Sequence, residues 1–181
     1  MYLLHASEKK KSPVVQLMGC GAILREVEAA ADILRNDYAV ESDVWSMTSI
    51  NELRRDGLAV QRWNRLHPDQ PAQQAYVTQQ LQHRFDQGYK GPVVIATDYM
   101  KLFSDQLREF IPATFTVLGT DGFGRSDTRE KLRSHFEVDR YHIVVASLRA
   151  LMDEGKIKVD VVKAAMKKMG ISPDKTNPMQ M

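Results

Sequence analysis

At 181 residues, with 43% apolar and 27% charged residues, the chain has the length and composition of one globular domain rather than a disordered or fibrous segment. A formal net charge of +2 predicts no strong attraction to nucleic acid or to an anionic membrane. Cys20 is the only cysteine. An internal disulfide and a thiolate metal cluster are thereby excluded, and a reducing, cytoplasmic setting is expected.

Apolar runs reach only about six to eight residues, against the ~20 of a membrane-spanning helix, and no secretory leader is visible. The chain opens directly into a strand-like segment, "MYLLHAS", as expected of a domain taken from a longer protein. "YLLHAS" and "PVVQLMG" read as strands joined by the charged turn Glu8–Ser12, which contains Lys9, Lys10 and Lys11. So short a link predicts an antiparallel pair. "AILREVEAAADIL" places Ile23, Leu24, Val27, Ala30, Ala31 and Leu34 on one helical face. "VESDVWSMTS" reads as a core strand, and Ser49 with Glu52 as a capping box for the next helix. Gly57 predicts a break in that helix. A polar loop follows at 67–74, then a helix around 74–87.

"GPVVIATD" reads as a buried strand. Met100, Phe103, Leu107 and Phe110 then recur at helical spacing up to Pro112. "TFTVLGT" is the last strand, and Asp127 with Glu130 predicts the start of a helix carrying Leu132 and Phe136. "YHIVVA" has strand propensity, but Asp139 as N-cap and the spacing of Val144, Val145, Leu148, Leu151 and Met152 favour a helix up to Gly155. A final helix carries Val159, Val162, Met166 and Met169 to Gly170, and the tail "SPDKTNPMQM" reads as loosely ordered. The sum is a three-layer α/β/α domain, with a five-stranded, mostly parallel sheet and one antiparallel edge strand.

Candidate chemistry is sparse. "GCGAIL" at 19–24 follows a strand and opens a helix, and Glu41 could act as a ribose acid. Leu24, however, stands where a dinucleotide fingerprint needs glycine or alanine. Nucleotide binding at the Gly19–Gly21 turn is therefore the alternative to a plain strand-to-helix turn. "GTDGFGRSD" at 119–127 lacks the lysine ending of a phosphate loop, and Asp121 and Asp127 oppose an anion while Arg125 attracts one. Cys20 could be a nucleophile, but such a cysteine is more often a small core residue. His5, His67, His83, His135 and His142 form no metal-ligand spacing. Asp98, Tyr99 and Lys101 fall at the carboxyl end of a core strand, where α/β sheets meet ligands and partners.

The segments "SMTSINELRRDG", "RWNRLHP", "ATDYMKLFSDQLREFIP", "VLGTDGFGRSDTREKLRSHFEVD" and "DKTNP" together resemble the C-terminal domain of the homodimeric bacterial pyruvate dehydrogenase decarboxylase component. That domain is similar to the third domain of transketolases. The resemblance runs over residues 2–178 and implies a single C-terminal domain at 1–178 followed by a tail at 179–181. It implies a full-length enzyme that uses thiamine diphosphate and magnesium to decarboxylate pyruvate and passes the acetyl unit to the lipoyl group of an acetyltransferase component. The family's G-D-G signature with paired asparagines has no counterpart here, since no Asn-Asn occurs in the chain. No catalytic, cofactor-binding or metal residue is therefore expected in these residues. The resemblance implies a role in dimerisation and domain packing, with Asp98, Tyr99, Lys101, Asp121, Phe123, Arg125, Ser126 and Asp127 facing another domain or subunit. Lys163, Lys167 and Lys168 read as a solvated helix face, or as a surface for an acidic partner such as the acetyltransferase.

Overall fold

The structure is a computed structural model and describes residues 1–8 and 12–180. The Lys9–Lys11 turn lies outside the described residues. Five strands form one sheet: β1 (Tyr2–His5), β2 (Val14–Gly19), β3 (Glu41–Ser46), β4 (Val93–Ala96) and β5 (Phe115–Leu118), in spatial order β1-β3-β2-β4-β5. All neighbouring pairs are parallel except β1 with β3. The antiparallel direction of β1 agrees with the sequence, but its neighbour is β3 and not β2. The reason is burial. β2 is buried along its whole length and has both edges paired, to β3 and β4. β1 is largely exposed and suits the sheet edge.

Strand alternation divides the core in two. Val15, Leu17, Val44, Val94 and Ala96 point to one face, against α1 (Leu24–Tyr38), α6 (Arg140–Asp153) and α7 (Val159–Lys168). Met18, Trp45, Val93 and Ile95 point to the other, against α2 (Ile50–Leu66) and α3 (Tyr76–Asp86). The short α4 (Lys101–Asp105) follows β4, and α5 (Arg129–His135) follows the loop after β5.

Four local expectations change. α2 runs unbroken through Gly57, because that position is a contact site: a Cβ there would lie 2.6 Å from the Phe110 ring. The helix expected from Met100 to Phe110 is split into α4 and a separate 3₁₀ turn at Arg108–Phe110. Asp127 does not cap α5; Thr128 does, its hydroxyl accepting from the Lys131 amide at 3.4 Å. At Ser49 only half of the box forms, since Glu52 turns its carboxylate to Arg55 at 2.7 Å. Asp139 does cap α6, accepting from the His142 amide at 2.9 Å.

A buried polar cluster locks β2, β3 and α3 together. Asp43, fully buried, accepts from Ser7 N and Oγ, from Gln16 Nε2, and from Arg84 Nε and Nη2, all within 2.6–2.9 Å. Gln16 in turn accepts from the Trp45 indole at 2.7 Å. Burial alone would raise the Asp43 carboxyl, but the bonds from Arg84, Ser7 and Gln16 together outweigh it and hold the pKa below the usual carboxylate range.

Candidate functional site

Parallel strands deliver their following loops to one end of a sheet. Here the 98–101 segment after β4, the 119–127 loop after β5 and the Gly21–Ile23 turn after β2 meet at the carboxyl end. Two of them are zipped together. Thr120 donates its amide to Tyr99 O at 2.9 Å and its hydroxyl to Asp98 O at 2.8 Å. Asp121 accepts from the Lys101 amide at 2.9 Å, so it occupies the α4 amino end from across the gap. Gly119 permits this approach: a Cβ would lie 2.7 Å from Tyr99 O and 2.8 Å from Lys101 N.

The side chains pointing outward are of another kind. Phe123 is 79% exposed, Leu102 71%, Met100 57% and Tyr99 55%. Asp98, Lys101, Arg125, Ser126 and Asp127 are also exposed. All eight residues singled out in the sequence thus gather at one end of the sheet. Asp121 differs in turning inward, as a loop anchor. Leu102 and Met100 extend the apolar surface and were not singled out: Met100 belongs to the helical spacing that suggested core, and Leu102 lies off that spacing.

The tail beyond α7 is not a loose end among the described residues. Lys175 Nζ donates to Ser134 O and His135 O, each at 2.8 Å, and to Glu137 Oε1 at 3.2 Å. Gly122, at φ +112°, sits against Pro178, where a Cβ would lie 2.5 Å from the carbonyl oxygen. The "DKTNP" segment therefore backs the "GTDGFGRSD" loop. Next to it, burial first, then Arg125 and Lys175, push the His135 imidazole pKa down.

Beside the zipped loops, α1 and α6 are joined through a buried acid. Glu26 accepts from Arg133 Nη1 at 2.8 Å and from Arg140 Nε at 2.9 Å. The Arg140 hydrogen bonds are the leading cause of its lowered pKa.

The dinucleotide reading loses its geometry. In the parallel register Val14 pairs with Glu41 and Gly19 with Ser46. Glu41 thus lies five strand positions, about 16 Å, from the Gly19–Gly21 turn, at the opposite end of the sheet. Gly19 is there for close packing, since a Cβ would lie 2.8 Å from the Leu24 backbone. Cys20 is half-buried, and burial is the first cause of its raised pKa, so it remains a thiol near neutral pH. Among the described residues no cluster of three His, Cys, Asp or Glu side chains could hold a metal ion. Lys168 on α7 pairs with Asp37 at 2.9 Å, while Lys163 and Lys167 stay exposed. Among the described residues no helix is long and apolar enough to cross a membrane.

Comparison with known proteins supplies the context. The chain is 56% identical to the pyruvate dehydrogenase E1 component of Pseudomonas aeruginosa, over 99% of its own length and 20% of that protein. It is 49% identical to the same component of Escherichia coli, over 98% of its own length and 19% of that protein. The chain thus spans about a fifth of the length of these relatives. A split-gene transketolase, solved as an inactive β4 tetramer, matches in fold with a TM-score of 0.52 at 16% identity, over 78% of this chain and 40% of that one. The family model described as "Transketolase-like TK C-terminal domain" matches residues 1–139. A five-stranded, mostly parallel sheet with one antiparallel edge, and a sequence matched over most of its length, place the chain in the transketolase-like C-terminal domain family.

Proposed function

We propose that this domain is the C-terminal assembly domain of a pyruvate dehydrogenase E1 component. In this reading the full-length enzyme oxidatively decarboxylates pyruvate with thiamine diphosphate and magnesium and acetylates the lipoyl group of the acetyltransferase component. Cofactor and catalysis belong to the remaining four-fifths of the subunit, and the domain itself supports the homodimer and packs against its neighbouring domains. The observation that carries this is 56% identity over 99% of the chain to an E1 component of which it spans only 20%.

The carboxyl end of the sheet is the surface proposed to meet another domain or subunit. It carries Asp98, Tyr99, Lys101, Phe123, Arg125, Ser126 and Asp127, with Asp121 bracing it from within. Four large apolar side chains in water, on the two zipped loops and the first turn of α4, support the reading, because exposed apolar surface of this kind is the usual mark of an interaction surface. Aromatic residues at the centre of an interface carry much of its energy. In the full-length enzyme, Phe123→Ser is expected to weaken dimer association or domain packing by about tenfold or more, and Arg125→Ala to do so less, while thiamine diphosphate still binds. Sedimentation equilibrium, activity and cofactor titration on the same preparations check this. Unchanged association and unchanged activity in both variants would reject the assignment.

A further inference from the structure

We infer that the cavity between the Gly21–Ile23 turn and α5 receives a carboxylate-bearing segment from elsewhere in the full-length protein. This rests on the assembly reading above and adds the chemistry of the partner. The cavity encloses about 570 Å³ and is lined by Arg125, Arg129 and Arg133, spaced four residues apart, over an apolar floor of Ile23, Leu132 and Phe136. The excess charge sits on α5. The Arg129 side chain has no ion-pair partner among the described residues. Arg133 shares its carboxylate, Glu26, with Arg140, so one acid serves two guanidiniums. Asp98 is the one carboxylate among the described residues that line the cavity.

An apolar partner closing over this surface would strip water from the Arg129 guanidinium without replacing it, and an unpaired buried charge is strongly unfavourable. A guanidinium fork is matched by a carboxylate, which it can grip through two parallel hydrogen bonds. The exposed Tyr99, Met100 and Phe123 on the adjoining loops, with Leu102 on α4, favour cover by protein rather than by a free anion. The relatives are about five times longer than this chain, so a segment that could supply the acid is available.

The test uses Arg129→Lys in the full-length protein, treated with a water-soluble carbodiimide and mapped by peptide mass spectrometry. The expected result is an amide cross-link from position 129 to an Asp or Glu outside residues 1–180 of this sequence. It should fade at about 1 M salt, where the screening length is only ~3 Å. Cross-links confined to Asp98, Asp127 or Glu130 would overturn the inference, as would protection of this cavity by inorganic phosphate without any external cross-link. Phe123→Ser separates the two readings. If it weakens association while no external cross-link forms, the acidic partner is wrong and the assembly surface stands. If neither Phe123→Ser nor Arg125→Ala changes association or activity and no cross-link forms, both fall.

Discussion

Gly57 shows how one residue can mislead a helix reading. Glycine in a helix interior costs about 1 kcal/mol relative to alanine, so its presence suggests a break. In the fold it is the position where Phe110 lies directly against the α2 backbone. Gly57→Ala should therefore destabilise the protein by about 1–3 kcal/mol through overpacking, despite the better helix propensity of alanine. Urea denaturation checks this, and a raised midpoint would show that Phe110 can step aside at no cost. The same logic separates the legible from the illegible elsewhere. Gly19 announced a tight strand-to-helix turn, whereas nothing local to Gln16 or Asp43 announced that they would pair across strands. Their only trace is polarity at positions inside otherwise apolar strand segments.

Among the elements, those set by local rules were readable from sequence. Asp139 and the 3.6-residue spacing after it identified α6 against the strand propensity of "YHIVVA". The α4 region failed for a tertiary reason: Leu107 and Phe110 turn into the core while Met100 and Leu102 face water, which one straight helix cannot satisfy. The tail failed for a similar reason. Its composition is that of a loose end, but Lys175 closes on the C-terminal carbonyls of α5, where a cation is favoured. Lys175→Met removes three hydrogen bonds while keeping the aliphatic stem. It is expected to cost about 1–2 kcal/mol, moderated because the side chain is partly solvated. It should also speed amide hydrogen exchange in residues 133–138 and in the 119–127 loop. Unaltered exchange there would mean that the tail only rests on the loop.

For the whole molecule, fold class was legible because period-2 and period-3.6 patterns alternate along the chain. Strand order was not, since the choice of β3 over β2 as the neighbour of β1 is made by contacts distant in sequence. The carboxyl-end surface was legible as a set of residues; its inward Asp121 and its apolar extension through Met100 and Leu102 were not. Three carboxyls, Asp43, Glu26 and Asp139, are held below their ordinary range in the fold. For Asp139, burial works upward but the hydrogen bonds from His142 outweigh it. Groups with depressed folded pKa values stabilise the protein above their unfolded values of about 4, and that contribution is lost as pH falls through the folded values. Stability should thus stay level in this respect down to about pH 5 and drop steeply below about pH 4. Asp43→Asn should be less stable at pH 7 and show a shallower acid limb in urea titrations. An acid limb identical to that of the parent would remove Asp43 as its source.

Trp45 gives those titrations a built-in optical signal. Its indole is buried and hydrogen-bonded to Gln16 beside the Asp43 carboxylate, whereas the other tryptophan, Trp63, is partly solvated and stacked on His67. Red-shifted emission from Trp45 would mark the moment water reaches the seam between β2 and β3. The spectrum would then date the loss of that seam separately from any fraying at the outer end of α2.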